Sequence, residues 1–440
     1  MNTSVFSSLQ ERERTGKPVR VGVIGAGATG RAVALQLGTP VPGMRMVAIC
    51  NRTVPTGERA LREAGFSGWV HAESTREAEE AINRGLTVLA HDPLVLTQCG
   101  AIDVILEVTG TTEPAARAVL SAFDHGKHVV LANAELDSLI GPILKAKADK
   151  AGVVLTHTDG DEPGVAMTLV RYLQTLGLRT VAAGNIKGMV DYYRNPDTQK
   201  AFAEKNGQDA RKVTSFADAT KLSMETTVLS NATGFQPGKR GMHGPKCGYV
   251  REIANLLPPE QMLSTGLVDY ALGAAPHTGA FVVIYEENPL KKEQLSYYKI
   301  GNGPFYVFYT PFHLPHLQIA ATIGRAVVHH DPTVTPLAGP VSEVVSVAKR
   351  DLKAGERLDG IGGFCTYGLI DTAKSARAVS ALPIGLSEGC VMRRDVKKDS
   401  VVSFDDVDRP AGGLVEKLWQ EQQELWPQNA PKLEPVGEAR

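Results

Sequence analysis

Val19-Arg20-Val21-Gly22-Val23-Ile24 runs directly into Gly25-Ala26-Gly27-Ala28-Thr29-Gly30, and this junction decides the fold. A short apolar strand followed by GxGxxG at the opening of a helix is the entry to a dinucleotide-binding βαβ unit. Each glycine has a separate reason. Gly25 permits the tight turn, Gly27 lets the backbone approach a pyrophosphate, and Gly30 lets the helix pack on the strand. The helix N-terminus then offers free N–H groups and a positive dipole end to the phosphates. Cofactor contacts are therefore expected at Gly25, Ala26, Gly27, Ala28, Thr29 and Gly30.

Working outward, strands are predicted at 19–24, 46–50, 104–108, 128–132 and 153–157, with helices at 30–37, 113–123 and 139–151. This alternation predicts a parallel sheet with crossover helices. The stretch 76–96 reads as one more helix followed by an apolar linker. After the second strand comes Cys50-Asn51-Arg52-Thr53. The acid that would bind the ribose 2′-OH of NAD is missing there. Asn51 and Arg52 are placed to meet a 2′-phosphate, which favours NADP, although a solvated arginine is the competing reading. The turns Thr109-Gly110 and Asn133, at the ends of the third and fourth strands, are further cofactor candidates. Asn133 reads equally well as a helix cap.

Beyond residue 160 the alternation weakens. A helix at 165–176, a strand at 180–187 and polar helical sequence indicate an α+β substrate domain over 161–340. Residues 231–247, rich in Gly and Pro, are expected to hold no regular element. Residues 341–410 carry short strand-like runs (VVSVA, VVSF), which predict a small all-β module, and 411–440 a helix from 414 to 426 with a tail. The fold class is thus α/β, with an N-terminal Rossmann domain over 1–160. An amphipathic helix is expected before the first strand.

Composition sets outer limits. The 440 residues hold 47 Lys plus Arg against 48 Asp plus Glu, so no global positive field points to nucleic acid. Five scattered cysteines without a CxxC pair argue against a disulfide framework or zinc site. The sequence carries no run of ~18–20 apolar residues and no signal-like start, so a cytoplasmic location without membrane contact is expected. A homodimer is the expected state.

Two further clusters bear charge. Asp159, Asp161 and Glu162 crowd one turn, where like charges repel unless a divalent cation or a lysine compensates. Solvated acids, one of them capping a helix, are the alternative. Gly238-Lys239-Arg240-Gly241-Met242-His243-Gly244 combines Lys239, Arg240 and His243 with glycines, as a phosphate clamp or a mobile loop. His329-His330 is read as structural.

These residues resemble the homoserine dehydrogenase superfamily: GAGATG, EVTGTTEPA and HVVLANAE occur in its order, followed by HTDGDEPGVAM, GNIKGMVDYY and DATKLS. Two features depart from that pattern. Ala134 stands where the superfamily carries a lysine, and Asp218 and Lys221 lie three residues apart rather than about four. The C-terminal stretches VVSVAKRDLKAGERLDGIGG and LPIGLSEGCVMRRDVKKDSVVSFDDVD resemble the SAF domain, a β-clip-like fold. Together the two halves resemble the DXR-like enzymes, an alternative type of 1-deoxy-D-xylulose 5-phosphate reductoisomerase serving isoprenoid precursor synthesis.

The resemblance implies an NADP-dependent oxidoreductase acting on a small, phosphorylated hydroxy-carbonyl substrate. It implies Lys221 as acid/base, Lys187 as the group that polarises the carbonyl, and Asp218 as a catalytic acid. Asp159 joins Lys239, Arg240 and His243 as a substrate-binding candidate. A reductoisomerase would use a divalent cation, Mg or Mn, at the Asp159, Asp161 and Glu162 turn. A homoserine dehydrogenase-like oxidoreductase on an amino or sugar acid, and a non-catalytic NADP sensor, are the alternatives.

Overall fold

A computed structural model describes residues 3–427. After α1 (Thr3–Arg14), the first layer is built from β1 (Val19–Ile24), α2 (Ala28–Gly38), β2 (Met44–Cys50), α3 (Val54–Glu63), β3 (Val70–His71), α4 (Thr75–Asn83) and β4 (Val88–Ala90). It continues with α5 (Pro93–Thr97), β5 (Val104–Glu107), α6 (Glu113–Asp124), β6 (His128–Leu131), α7 (Ala134–Ala151) and β7 (Leu155–His157). The strands form one sheet in the order β3-β4-β2-β1-β5-β6-β7, every pairing parallel. β5 and the core of β1 are buried on both faces, as near-continuous apolar runs require. The order reverses between β1 and β5, so the ligand crevice opens at their carboxyl ends.

Two expectations change here. The sheet has seven strands rather than five, because the stretch read as helix plus linker contains α4, β4 and α5, with β3 just before it. β4 has only three residues, too few for an alternation to register. Helix α7 begins at Ala134 rather than residue 139, because Asn133 caps it by accepting from Leu136 N.

The second layer holds α8 (Glu162–Thr175), β8 (Arg179–Lys187), α9 (Pro196–Lys205), α10 (Ala210–Ala217), α11 (Thr220–Thr233), β9 (Gln236–Pro237), α12 (Ile253–Leu256) and α13 (Pro259–Ser264). β10 (Leu267–Leu272), β11 (Ala280–Tyr285), α14 (Pro289–Tyr297), β12 (Phe305–Thr310) and α15 (Ile319–His329) follow. The sheet order is β12-β11-β8-β10-β9, with β8, β9 and β10 mutually parallel and β11 and β12 antiparallel. The two-residue β9 falls inside the segment expected to lack regular structure. Helix α11 is buried almost all round. Such a helix must be enclosed by protein, and it lies among α7, α8, β8 and the C-terminal module.

That module comprises β13 (Ser342–Ala348), β14 (Thr366–Thr372), α16 (Ala373–Ala378), β15 (Val391–Met392) and β16 (Val407–Asp408), in two antiparallel pairs. It is not purely β, since α16 follows β14 directly, and VVSF contributes only isolated bridges. Its first pair docks on α11: Gly368 N donates to Thr220 Oγ1 (2.8 Å), and Ser230 and Ser342 share a 2.7 Å hydroxyl bond. α17 (Leu414–Leu425) packs on α7 through the buried Gln422, which bonds Ile143 N and Leu139 O. The expected tail beyond this helix lies, from residue 428, outside the described residues. No helix among the described residues is long and apolar enough to cross a membrane.

Candidate active site

At the first turn, Gly25 adopts φ +112, and its N–H donates to Cys50 O at the end of β2. A Cβ on Gly30 would stand 2.1 Å from Gly25 O, so only glycine lets α2 meet the turn this closely. Gly27 differs: nothing lies within 4 Å of where its Cβ would be. That open space, beside the uncapped first turn of α2, is what a pyrophosphate needs. Asn51 braces the turn, accepting from Ala26 N (3.0 Å) and donating to Thr53 O (2.9 Å). Its amide is therefore committed to the protein. Arg52 is exposed, and among the described residues it pairs with no carboxylate.

On the other side of the switch, Thr109 is tied to the fully buried Glu107, whose Oε1 accepts from Thr109 N (2.9 Å) and from its hydroxyl. Asn133 donates to Glu107 Oε2 (2.6 Å) and Thr111 O (2.7 Å) while its Oδ1 caps α7. With both faces of its amide used, Asn133 shapes the crevice wall rather than reaching a nicotinamide. Gly110, at φ +68, forms the lip of this turn.

Below the crevice, α7, β7, α8, β8 and α11 bring their polar residues to one point. Lys187 Nζ lies 2.6 Å from Glu162 and 3.4 Å from Glu225. Lys221 Nζ lies 3.6 Å from Glu135. His157, wholly buried, bridges two carboxylates, with Nδ1 3.1 Å from Asp137 and Nε2 3.1 Å from Asp161. His313 stands 3.8 Å from Glu162 and bonds Thr278. Both lysines keep a foothold in solvent, their side chains 20% and 14% exposed.

The cluster sets its own protonation. Burial opposes charge on Lys187, but Glu162 and Glu225 outweigh it and raise its pKa. Burial likewise opposes charge on Lys221, and Glu135 and Asp161 overcome it. Burial also disfavours a charged His157, yet the bonds from Asp137 and Asp161 carry it up to about 9. Asp161 is pulled well below the usual carboxylate range, against its burial, by His157 and Lys221. Glu225 goes the other way: burial and the neighbouring Glu162 raise its pKa. Both ammoniums and the imidazolium are thus charged at neutral pH.

The oxygens of Asp161, Glu162 and Glu225 lie within 4.8 Å of one another. Oxygen-only donors of this kind suit magnesium or manganese. Asn185 adds to the fit: its Nδ2 bonds Glu225 (3.2 Å), while its buried Oδ1 has no partner. Around these three acids, Glu135 and Asp137 add further carboxyls facing His157, Lys187 and Lys221.

Five expected site residues stand elsewhere. Asp159 turns toward α15: it accepts from Thr333 Oγ1 and lies 3.5 Å from Arg325, with burial raising its pKa to about 6. The acid completing the cluster is instead Glu225. Asp218 is buried against Lys349 (2.9 Å) of the C-terminal module and caps Thr220 N. It cannot serve Lys221, because Ala219 between them takes φ +72 and turns the two side chains apart. In the glycine-rich loop, Arg240 pairs with Asp371 (2.7 Å) and His243 bonds Gln261 (2.9 Å), while Lys239 is exposed. The loop's amides are also taken: His243 N and Gly244 N both donate to Asp269.

Sequence reasoning missed Glu225, Glu135, His157 and Asp137. Glu225 had a signal, since it lies four residues beyond Lys221 on one helix and so shares its face. His157 and Asp137 meet only through the sheet order, which brings β7 beside α7.

Residues 160–319 match the family model described as the oxidoreductase DRL catalytic domain. Homoserine dehydrogenase of Pseudomonas aeruginosa PAO1 is 30% identical over 139 residues, covering 32% of this chain and 28% of that one, so the chain spans little more than a quarter of that relative's length. Homoserine dehydrogenase of Thiobacillus denitrificans aligns at 15% identity, covering 77% of this chain and 84% of that chain with a TM-score of 0.40. Scyllo-inositol dehydrogenase of Lactobacillus casei aligns at 11%, covering 72% and 91% with a TM-score of 0.41. The chain thus combines a seven-stranded parallel sheet of doubly wound order with a following stretch that resembles an oxidoreductase catalytic domain.

Proposed function

We propose that the protein is an NADP-dependent reductoisomerase of the 1-deoxy-D-xylulose 5-phosphate reductoisomerase-like type, acting on a small phosphorylated hydroxy-carbonyl compound. The observation that carries this reading is the pair Lys187 and Lys221, two charged ammoniums held by carboxylates at one point below the crevice. Reduction of a carbonyl needs a hydride, which the nicotinamide supplies when bound, and a proton for the oxygen.

Lys221 is the proton donor. Its raised pKa keeps the ammonium loaded at neutral pH, and the neutral amine it leaves after transfer is reprotonated from solvent. Lys187 points its charge at the same carbonyl oxygen, stabilising negative charge as it develops. Asp161, Glu162 and Glu225 would hold a divalent cation, which would supply Lewis-acid stabilisation of negative charge on substrate oxygen. Arg52 supports NADP over NAD, as an exposed guanidinium at the end of β2. A homodimer is the state we expect in solution.

The test is NADPH absorbance with 1-deoxy-D-xylulose 5-phosphate, with and without Mg or Mn. Turnover should require the cation, and Lys221→Met should lower kcat by about 10²–10⁴-fold without changing NADPH affinity. No turnover with the cation present rejects this substrate. The stretch shared with homoserine dehydrogenase favours a second reading, oxidation of homoserine. The same instrument tests it with homoserine and NADP in place of the sugar phosphate.

A further inference from the structure

α10 carries a lysine that the site described above leaves unused. A methyl built on Gly110 would come 3.0 Å from Lys212 Nζ and 3.9 Å from Glu135 Cδ. Lys212 therefore reaches from the second layer to the lip of the cofactor turn. It is half-buried, and among the described residues its ammonium forms no ion pair, Glu135 being held by Lys221 at 3.6 Å.

The helix that bears it is fixed in place. Asp209 caps α10 by accepting from Lys212 N (3.0 Å), and Arg211 donates to the carbonyls of Asp359 and Ile361 (3.4 Å to the latter). Gly362 lies so close that a Cβ there would touch Arg211 O at 2.0 Å. The C-terminal module thus braces the turn of α10 that aims Lys212.

A dinucleotide laid across the carboxyl ends, from Arg52 at β2 through the glycine turn after β1, has its nicotinamide half at the turns after β5 and β6. Gly110 belongs to the first of these. We propose that Lys212 is a cofactor-contacting residue whose charge sets the redox-state preference of the site, favouring the neutral reduced ring over the cationic oxidised one. This rests on reading the crevice as the dinucleotide site.

The experiment compares wild type, Lys212→Met and Lys212→Arg by fluorescence titration with NADPH and by competition with NADP⁺. Lys212→Met should tighten NADP⁺ relative to NADPH by about 3–10-fold, with a smaller change at high salt, and Lys212→Arg should restore the wild-type ratio. A Lys212→Met chain that weakens both forms equally, or changes neither, overturns the inference while leaving the dinucleotide reading intact. A wild-type chain that binds neither form removes that reading, and the role of Lys212 with it. Thermal melts of both variants check that the fold is retained.

Discussion

Two glycine-rich loops, 25–30 and 238–244, look alike as sequence, and each reads as a site for an anion, the first through backbone N–H groups and the second through Lys239, Arg240 and His243. They differ in what surrounds them. Gly27 faces open space at an uncapped helix start, whereas His243 N and Gly244 N already hold the carboxylate of Asp269 at 2.9 and 2.8 Å. The second loop has an internal anion where a ligand's phosphate would go, and Arg240 is likewise neutralised by Asp371. Glycines and cations mark a site only when their donors lack partners from the same chain.

The largest expected effect separates the loops directly. Gly27→Ala puts a methyl in the open space with no protein atom within 4 Å of it, so NADPH affinity should fall by about 100-fold, equivalent to about 2.7 kcal/mol, with little change in melting temperature. Fluorescence titration and a thermal melt read the two quantities. An unchanged affinity would remove the pyrophosphate from this turn.

The converse change sharpens the contrast at the second loop. Asp269→Ala leaves three amides facing a hole, those of His243, Gly244 and Tyr270. It should cost about 2–4 kcal/mol of stability without altering NADPH affinity. Inorganic phosphate should then raise the variant's melting temperature more than it raises that of wild type, because the freed amides become an anion site. Equal response of both proteins to phosphate would mean that the loop's amides are not what Asp269 satisfies.

The difference between the loops also shows what a sequence can disclose. The turn after β1 was legible because strand, glycines and helix are contiguous, so that six residues carry their own geometry. The partner that disables the second loop, Asp269, lies 25 residues beyond Gly244 on β10, and no local pattern announces it. Asp218 and Lys221 show a different failure. Their spacing suggests one helix face, but α10 ends at Ala217, α11 starts at Thr220, and the left-handed Ala219 between them sends the acid to Lys349 and the lysine to Glu135. Lys187 was placed at a strand end by the run that precedes it, and Glu225 follows from Lys221 by helical spacing. Asp137 and His157 meet only because β6 and β7 are neighbours in the sheet.

That last pair gives the smallest effect and a test of the catalytic side of the molecule. His157 gains its charge from Asp137 and Asp161, and its pKa is raised from 6.5 to about 9 on folding. The folded state therefore binds this proton more tightly than the unfolded chain. The resulting stability is fully present below pH 6.5 and is lost as pH rises through 9. Melting temperature should fall by a few degrees between pH 7 and 9.5, and His157→Gln should start lower at pH 7 and flatten that slope. A wild-type curve that is level across this interval would place a neutral imidazole between the two carboxylates. Either Asp137 or Asp161 would then have to carry the proton and donate it to the ring nitrogen that lacks one.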